Sequence, residues 1–75
     1  MMALSPQKIV GENLKLLIKE NYPNQAEFAY EFGADERTIR RYVNEGVNKL
    51  DTIQELAHFF GVEYIDFFKP IEKEL

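Results

Sequence analysis

The chain has 75 residues, 13 acidic against nine basic, a net charge of −4, one histidine and no cysteine. A chain of this length fits a single domain that buries only about 60% of the surface its unfolded form exposes, with no room for a deep enzyme cleft. Without cysteine there are no disulfides or thiolate metal sites, His58 has no carboxylates at ligand spacing around it, and the longest apolar runs are too short to span a membrane.

Five helical segments account for nearly all of residues 1–75, and no strand pattern, linker or internal repeat interrupts them. Ser5-Pro6 reads as an N-cap with proline at the first helical position. Val10, Leu14, Leu17 and Ile18 then follow helical spacing to about Asn21. Pro23 pushes Tyr22 toward extended geometry and ends that helix. Asn24 with Glu27 resembles a capping box and opens a second helix, with Phe28, Ala29 and Phe32 on its inner face. Gly33 suits a backbone position that a side chain would strain. Asp35 is the expected N-cap of a third helix over 35–44, and Glu45-Gly46 closes it. Asn48 with Asp51 reads as a further capping signature. The fourth helix turns Ile53, Leu56, Ala57 and Phe60 inward and stops at Gly61. A short fifth helix carries Tyr64, Ile65, Phe67 and Phe68 before Pro70, and Glu63 is a poor N-cap that predicts a frayed start.

Residues 25–46, QAEFAYEFGADERTIRRYVNEG, carry the functional signal. At about 100° per residue, Arg37, Arg40, Arg41 and Asn44 fall on one side of the third helix, while Ile39, Tyr42 and Val43 fall on the other. One side can pack on a core while the other presents three arginines outward. Two helices that cross steeply through a tight turn need a short side chain at the contact, which Ala29 supplies ahead of Gly33. The spacing from Ala29 through Gly33 to Ile39 and Tyr42 is that of a helix-turn-helix, whose second helix can enter the major groove of DNA.

Here the chain resembles the phage repressor and Cro family, the lambda repressor-like DNA-binding domains, over about residues 9–68. VGENLKLLIKEN resembles the first helix of the family. NQAEFAYEFGADERTIRRYVNEG resembles the second and third, and LDTIQELAHFFGVEYIDFF the closing ones. The resemblance implies an all-α, compact five-helix domain that binds operator DNA to regulate transcription, usually as a homodimer on a palindromic operator. It implies no catalysis, no cofactor, no metal and no small-molecule substrate. Residue by residue, it implies that Arg37 and Arg41 meet bases, and that Gln25, Arg40, Asn44, Asn48 and Lys49 meet phosphates. Glu36, expected beside the bases, departs from the family, which often has a neutral hydrogen-bonding residue there. A guanidinium can bond bidentately to guanine O6 and N7, so Arg37 and Arg41 predict a G-containing half-site. Glu36 either accepts from a cytosine amino group or tethers Arg40 at i, i+4. Gln25 is either a phosphate contact or a solvated N-terminal residue. Family members often set an arginine late in the first helix against a glutamate late in the third. Ile18 and Val43 stand at those places, and an apolar contact between them is expected instead.

Charge and aromatic content keep a second class of function open. Residues 45–75 hold three Lys against seven acids, so long-range steering toward DNA is weak. Six Phe and four Tyr crowd a small chain. Phe59, Tyr64, Phe67 and Phe68 exceed what one short segment can bury, which places Phe67, Phe68 and their neighbours at a homodimer contact. The alternative to a DNA-binding regulator is a protein-interaction module, or an antitoxin-like partner protein, on the same fold. A continuous positive strip from Lys15 or Lys19 through the arginines to Lys49 favours DNA; a strip broken by Glu31, Asp35 and Glu36 favours protein. No signal-peptide pattern follows Lys8, so the expected location is the cytoplasm.

Overall fold

A computed structural model describes residues 5–71 and contains four α-helices followed by a short 3-10 helix. Helix α1 spans Pro6–Asn21, α2 Gln25–Phe32, α3 Glu36–Glu45 and α4 Leu50–Phe60, and the 3-10 helix covers Tyr64–Phe68. The local signals act largely as their chemistry dictates. The Ser5 hydroxyl accepts the Lys8 N–H at 3.2 Å, with Pro6 at the first helical position. Tyr22, held extended at φ −137° and ψ 151° before Pro23, ends α1. The Asn24 side chain accepts the Glu27 N–H at 2.9 Å and opens α2.

The core is a single cluster to which every helix contributes. Val10, Leu14 and Ile18 enter from α1, Phe28 and Ala29 from α2, Ile39 and Val43 from α3, and Ile53, Leu56 and Ala57 from α4. Ile18 and Val43 are both buried in this core, as the exchange of an ion pair for apolar side chains requires. Phe28 is the hub of an aromatic set. Phe32 and Phe60 stack on it at 5.3 and 5.2 Å between ring centroids, and Tyr22 and Phe59 meet it edge-on at 5.4 and 5.5 Å. These offset and T-shaped geometries suit the ring quadrupoles and tie α2 to α4.

Four expectations are corrected. The fifth segment is a 3-10 helix, so the α-helices number four among the described residues. Only five residues fit between the Glu63 cap and the bend at Lys69, where Pro70 forbids helical continuation. Its start is not frayed, because the Asp66 carboxylate accepts the Glu63 N–H at 3.3 Å. Asn48 does not cap α4. The cap is Lys49, with no side-chain hydrogen bond, because Val47 is buried and its N–H is held by the Gln7 carbonyl at 3.3 Å, which draws the chain out before Leu50. Phe67 is not a surface for a second copy, since it is 1% exposed and belongs to the core. Asn13 fixes it there, donating from Nδ2 to the carbonyls of Phe67 and Lys69, both at 2.9 Å. Phe59 packs edge-on against the aromatic set with part of its ring exposed, while Phe68 is half-buried and edge-on to Tyr64.

Helices α1 and α3 meet closely at Gly11. A Cβ built there would lie 2.7 Å from the Tyr42 carbonyl oxygen and 2.9 Å from that of Val43. Both neighbours are backbone and cannot swing aside. Gly11→Ala gains about 1 kcal/mol of helix propensity, but separating the two helices costs about 1–3 kcal/mol. The predicted outcome is a net loss, read as a lower urea midpoint for Gly11→Ala; an unchanged or higher midpoint contradicts the close approach.

Candidate nucleic-acid interface

The turn between α2 and α3 is built from the Ala29 carbonyl. It accepts the N–H groups of both Gly33 (2.9 Å) and Ala34 (3.0 Å), and Gly33 takes the left-handed conformation at φ 90°. Asp35 then opens α3, its carboxylate accepting the Thr38 N–H at 2.8 Å. These bonds fix how α3 leaves the turn. Its inner face buries Ile39 and Val43 and half-buries Tyr42, while Arg37, Arg40, Arg41 and Asn44 are exposed.

The other end of α3 is held by α1. The Lys8 ammonium donates to the Asn44 carbonyl at 2.8 Å, and the Gln7 side-chain amide donates to the Glu45 carbonyl at 3.0 Å. Gly46 adopts φ 94° and ψ −179°, a conformation reserved for glycine, and a side chain there would run into Gln7. These bonds satisfy carbonyls that a helix C-terminus leaves without partners. Gln7 and Lys8 carry no local sequence pattern that marks this role. A glycine tolerated inside an otherwise regular first helix is the one available sign that another backbone comes close at position 11.

Six of the eight expected site residues fall into three groups, and Arg37 and Asn44 stand exposed outside them. Arg41, Asn48 and Lys49 line one cleft of about 210 Å³ with Gln7, Glu45 and Thr52, so the end of α3 and the following loop present one surface. Gln25, half-buried, lies in a separate groove of about 330 Å³ with Lys15, Lys19 and Tyr22. Glu36 and Arg40 form an ion pair at 3.6 Å, both about half exposed, which is the tethering arrangement. Arg37 enters no ion pair among the described residues, and neither does Arg41, whose guanidinium lies 5.8 Å from the Tyr42 ring centroid.

Two of the acidic residues on this face, Asp35 and Glu36, are engaged locally, while Glu31 and Glu45 are exposed and enter no ion pair among the described residues. The Thr38 backbone N–H, then its hydroxyl, hold the Asp35 carboxyl below the ordinary carboxylate range; desolvation opposes them, and the charges of Arg37 and Arg41 add lesser lowering effects. Asp35 is therefore part of the helix cap, Glu36 is occupied by Arg40, and the arginines at 37 and 41 keep their charge outward. Among the described residues no group of His, Asp and Glu is placed to hold a metal ion, and no helix is long and apolar enough to cross a membrane.

The fold has a solved counterpart. A solution structure of the SOS-response transcriptional repressor LexA from Eubacterium rectale matches with a TM-score of 0.75 and 24% sequence identity, covering 99% of this chain and 81% of that one. The two share one fold. It is all-helical, with α2 and α3 forming a helix-turn-helix. No protein-family model matches the chain, and no curated protein matches it.

The caps of α3 and of the 3-10 helix give the fold a pH dependence. Hydrogen bonding from Lys69, together with its charge and the Glu63 N–H, lowers the Asp66 carboxyl as Thr38 lowers that of Asp35. A depressed pKa means that the fold favours the charged form. The stability so gained is present above the ordinary value of 3.8 and is lost as pH falls through the depressed values. Thermal unfolding followed from pH 6 to about pH 2.5 is expected to show a falling midpoint below the ordinary carboxylate range. Asp35→Asn, which keeps a cap acceptor without a titratable proton, should flatten that limb. An acid limb as steep as that of the parent chain would deny Asp35 this role.

Proposed function

We propose that the chain is a sequence-specific DNA-binding transcriptional regulator that reads the major groove with α3. The observation that carries this reading is the pair of exposed arginines, Arg37 and Arg41, free of ion pairs among the described residues and directed away from the face that buries Ile39 and Val43. The shared cleft of Arg41, Asn48 and Lys49 supports it, because backbone contacts beside the reading helix fix its register in the groove. The structural likeness to a repressor named as a transcriptional regulator agrees with it.

In this reading Arg37 and Arg41 contact guanine, and Glu36 lies beside the base edges while steering Arg40. Arg40, Asn44, Asn48 and Lys49 take phosphates on one side. Gln25 takes one on the other, where Lys15 and Lys19 share its groove. The chain acts as one domain in the cytoplasm, without catalysis, cofactor or small-molecule substrate. Two copies bind a palindromic operator as a homodimer. With Phe67 inside the core, the apolar surface proposed for a second copy is Leu50, Tyr64 and Ile65, at 60, 41 and 59% exposure, beside the half-buried Phe68; Leu16, Tyr30 and Phe59 are further exposed apolar side chains. The same exposed residues favour the second reading, a protein-interaction or antitoxin-like module on this fold. Its DNA affinity would be weak or absent.

Selection from a random duplex library at low salt separates the two. The regulator reading expects an enriched palindrome with half-site centres about 10 base pairs apart; no enrichment and no binding at low salt would leave the protein-interaction reading. On the selected duplex, Arg41→Ala should cost about 1–3 kcal/mol and relax base preference at one position. Lys49→Ala should weaken selected and random DNA alike and lower the salt slope by about one. Equal effects of the two substitutions on both kinds of DNA would overturn the division into base and backbone contacts.

A further inference from the structure

The bonds between the start of α1 and the end of α3 converge on residues that the proposed function uses. Lys8 holds the Asn44 carbonyl and Gln7 holds that of Glu45. The Gln7 carbonyl, in turn, accepts the Val47 N–H at the entry to the segment bearing Asn48 and Lys49. Gly11 and Gly46 remove the side chains that would keep the two backbones apart. The C-terminal carbonyls of α3 carry its negative dipole end, and the Lys8 ammonium is the complementary charge, donating directly rather than from a distance.

We propose that Gln7 and Lys8 are positioning residues for the DNA-facing surface: the first turn of α1 clamps the end of α3 and the Val47–Lys49 segment so that helix and loop meet the duplex at one fixed angle. The functional half of this inference rests on the DNA-binding reading; the clamp itself does not. Lys8 contributes by its bond to Asn44 and not by neutralising a phosphate. Its removal should therefore discriminate between DNA sequences. A base-reading arginine displaced by a fraction of its bond length loses its directional hydrogen bonds, whereas a phosphate contact tolerates the shift.

The test uses the full chain with Lys8→Met, which keeps an apolar stem and removes the donor, and Lys8→Arg, which restores one. In the free protein, amide hydrogen exchange by NMR is expected to rise about tenfold at Gly46 and Val47 in Lys8→Met, with the amides of Leu14 and Leu56 unchanged after correction for global stability. Lys8→Arg returns the parent rates. Local rates unaltered in Lys8→Met overturn the clamp, whether or not the chain binds DNA. On the selected duplex, Lys8→Met should lose about tenfold in affinity, with random DNA and the salt slope unaffected. A uniform loss on both DNAs with a shallower salt slope would make Lys8 a phosphate contact and overturn the positioning role. A parent chain that selects no DNA overturns the functional half, and the exchange result then decides the clamp alone.

Discussion

The seating of α1 on α3 at Gly11 is the constraint on which the rest of the structure depends. With only hydrogen at that position, the carbonyls of Tyr42 and Val43 lie against α1, and Gly46 closes on Gln7. This approach lets Ile39 and Val43 reach the core that Val10, Leu14 and Ile18 fill from the other side. It also decides which way the opposite face points. The turn after α2 sets the start of α3, but a ten-residue helix held only at its start would be free to pivot. The bonds from Gln7 and Lys8 hold its end and lead the chain into Val47, whose burial sets where α4 begins.

An acidic chain can present a basic face when its carboxylates have local duties. Asp35 caps α3, Glu36 is paired with Arg40, and Asp66 serves both the Glu63 N–H and the Lys69 ammonium, the latter at 3.0 Å. Each of these arrangements is short in sequence and exposed to solvent, so none of them reverses the net charge that an approaching polyanion meets at long range. Recognition on the proposed reading therefore depends on contacts made after encounter: the arginines at 37 and 41, and the backbone cleft around Lys49. Strong salt dependence at close range and slow capture at long range are compatible in such a surface, because phosphate neutralisation and net charge act over different distances.

Most local signals were legible in the sequence; the exception is Glu63 with Asp66, a capping box closed within three residues that the poor N-cap propensity of Glu63 concealed. Ser5-Pro6, Asn24, Gly33 and Asp35 each do chemistry that closes within a few residues, and the apolar spacing of α1 and α3 places their inner faces correctly. Signals failed where a distant group competes. Asn48 and Asp51 have capping spacing, yet the pull of Val47 toward Gln7 leaves Lys49 at the cap. Phe67 and Phe59 count as surplus aromatics when only their own segment is considered. The structure supplies Asn13 to fix one and the rings of α2 to receive the other. The outward face of α3 was visible from periodicity alone. The cleft that Arg41 shares with Asn48 and Lys49 is a feature of the tertiary structure, and Gln7 and Lys8, which bond the end of α3, give no local pattern because their partners lie 38 and 36 positions away.

Titration of isotope-labelled protein with the duplex it selects, followed residue by residue by NMR, tests the central claim most directly. The account predicts that amide shifts move along the exposed side of α3 from Glu36 to Asn44, at Gln25 and at Asn48 and Lys49, while the buried amides of Phe28 and Leu56 stay in place. Perturbation confined to Leu50 and Tyr64–Phe68, with α3 unmoved, would contradict it and assign the fold to protein contact instead.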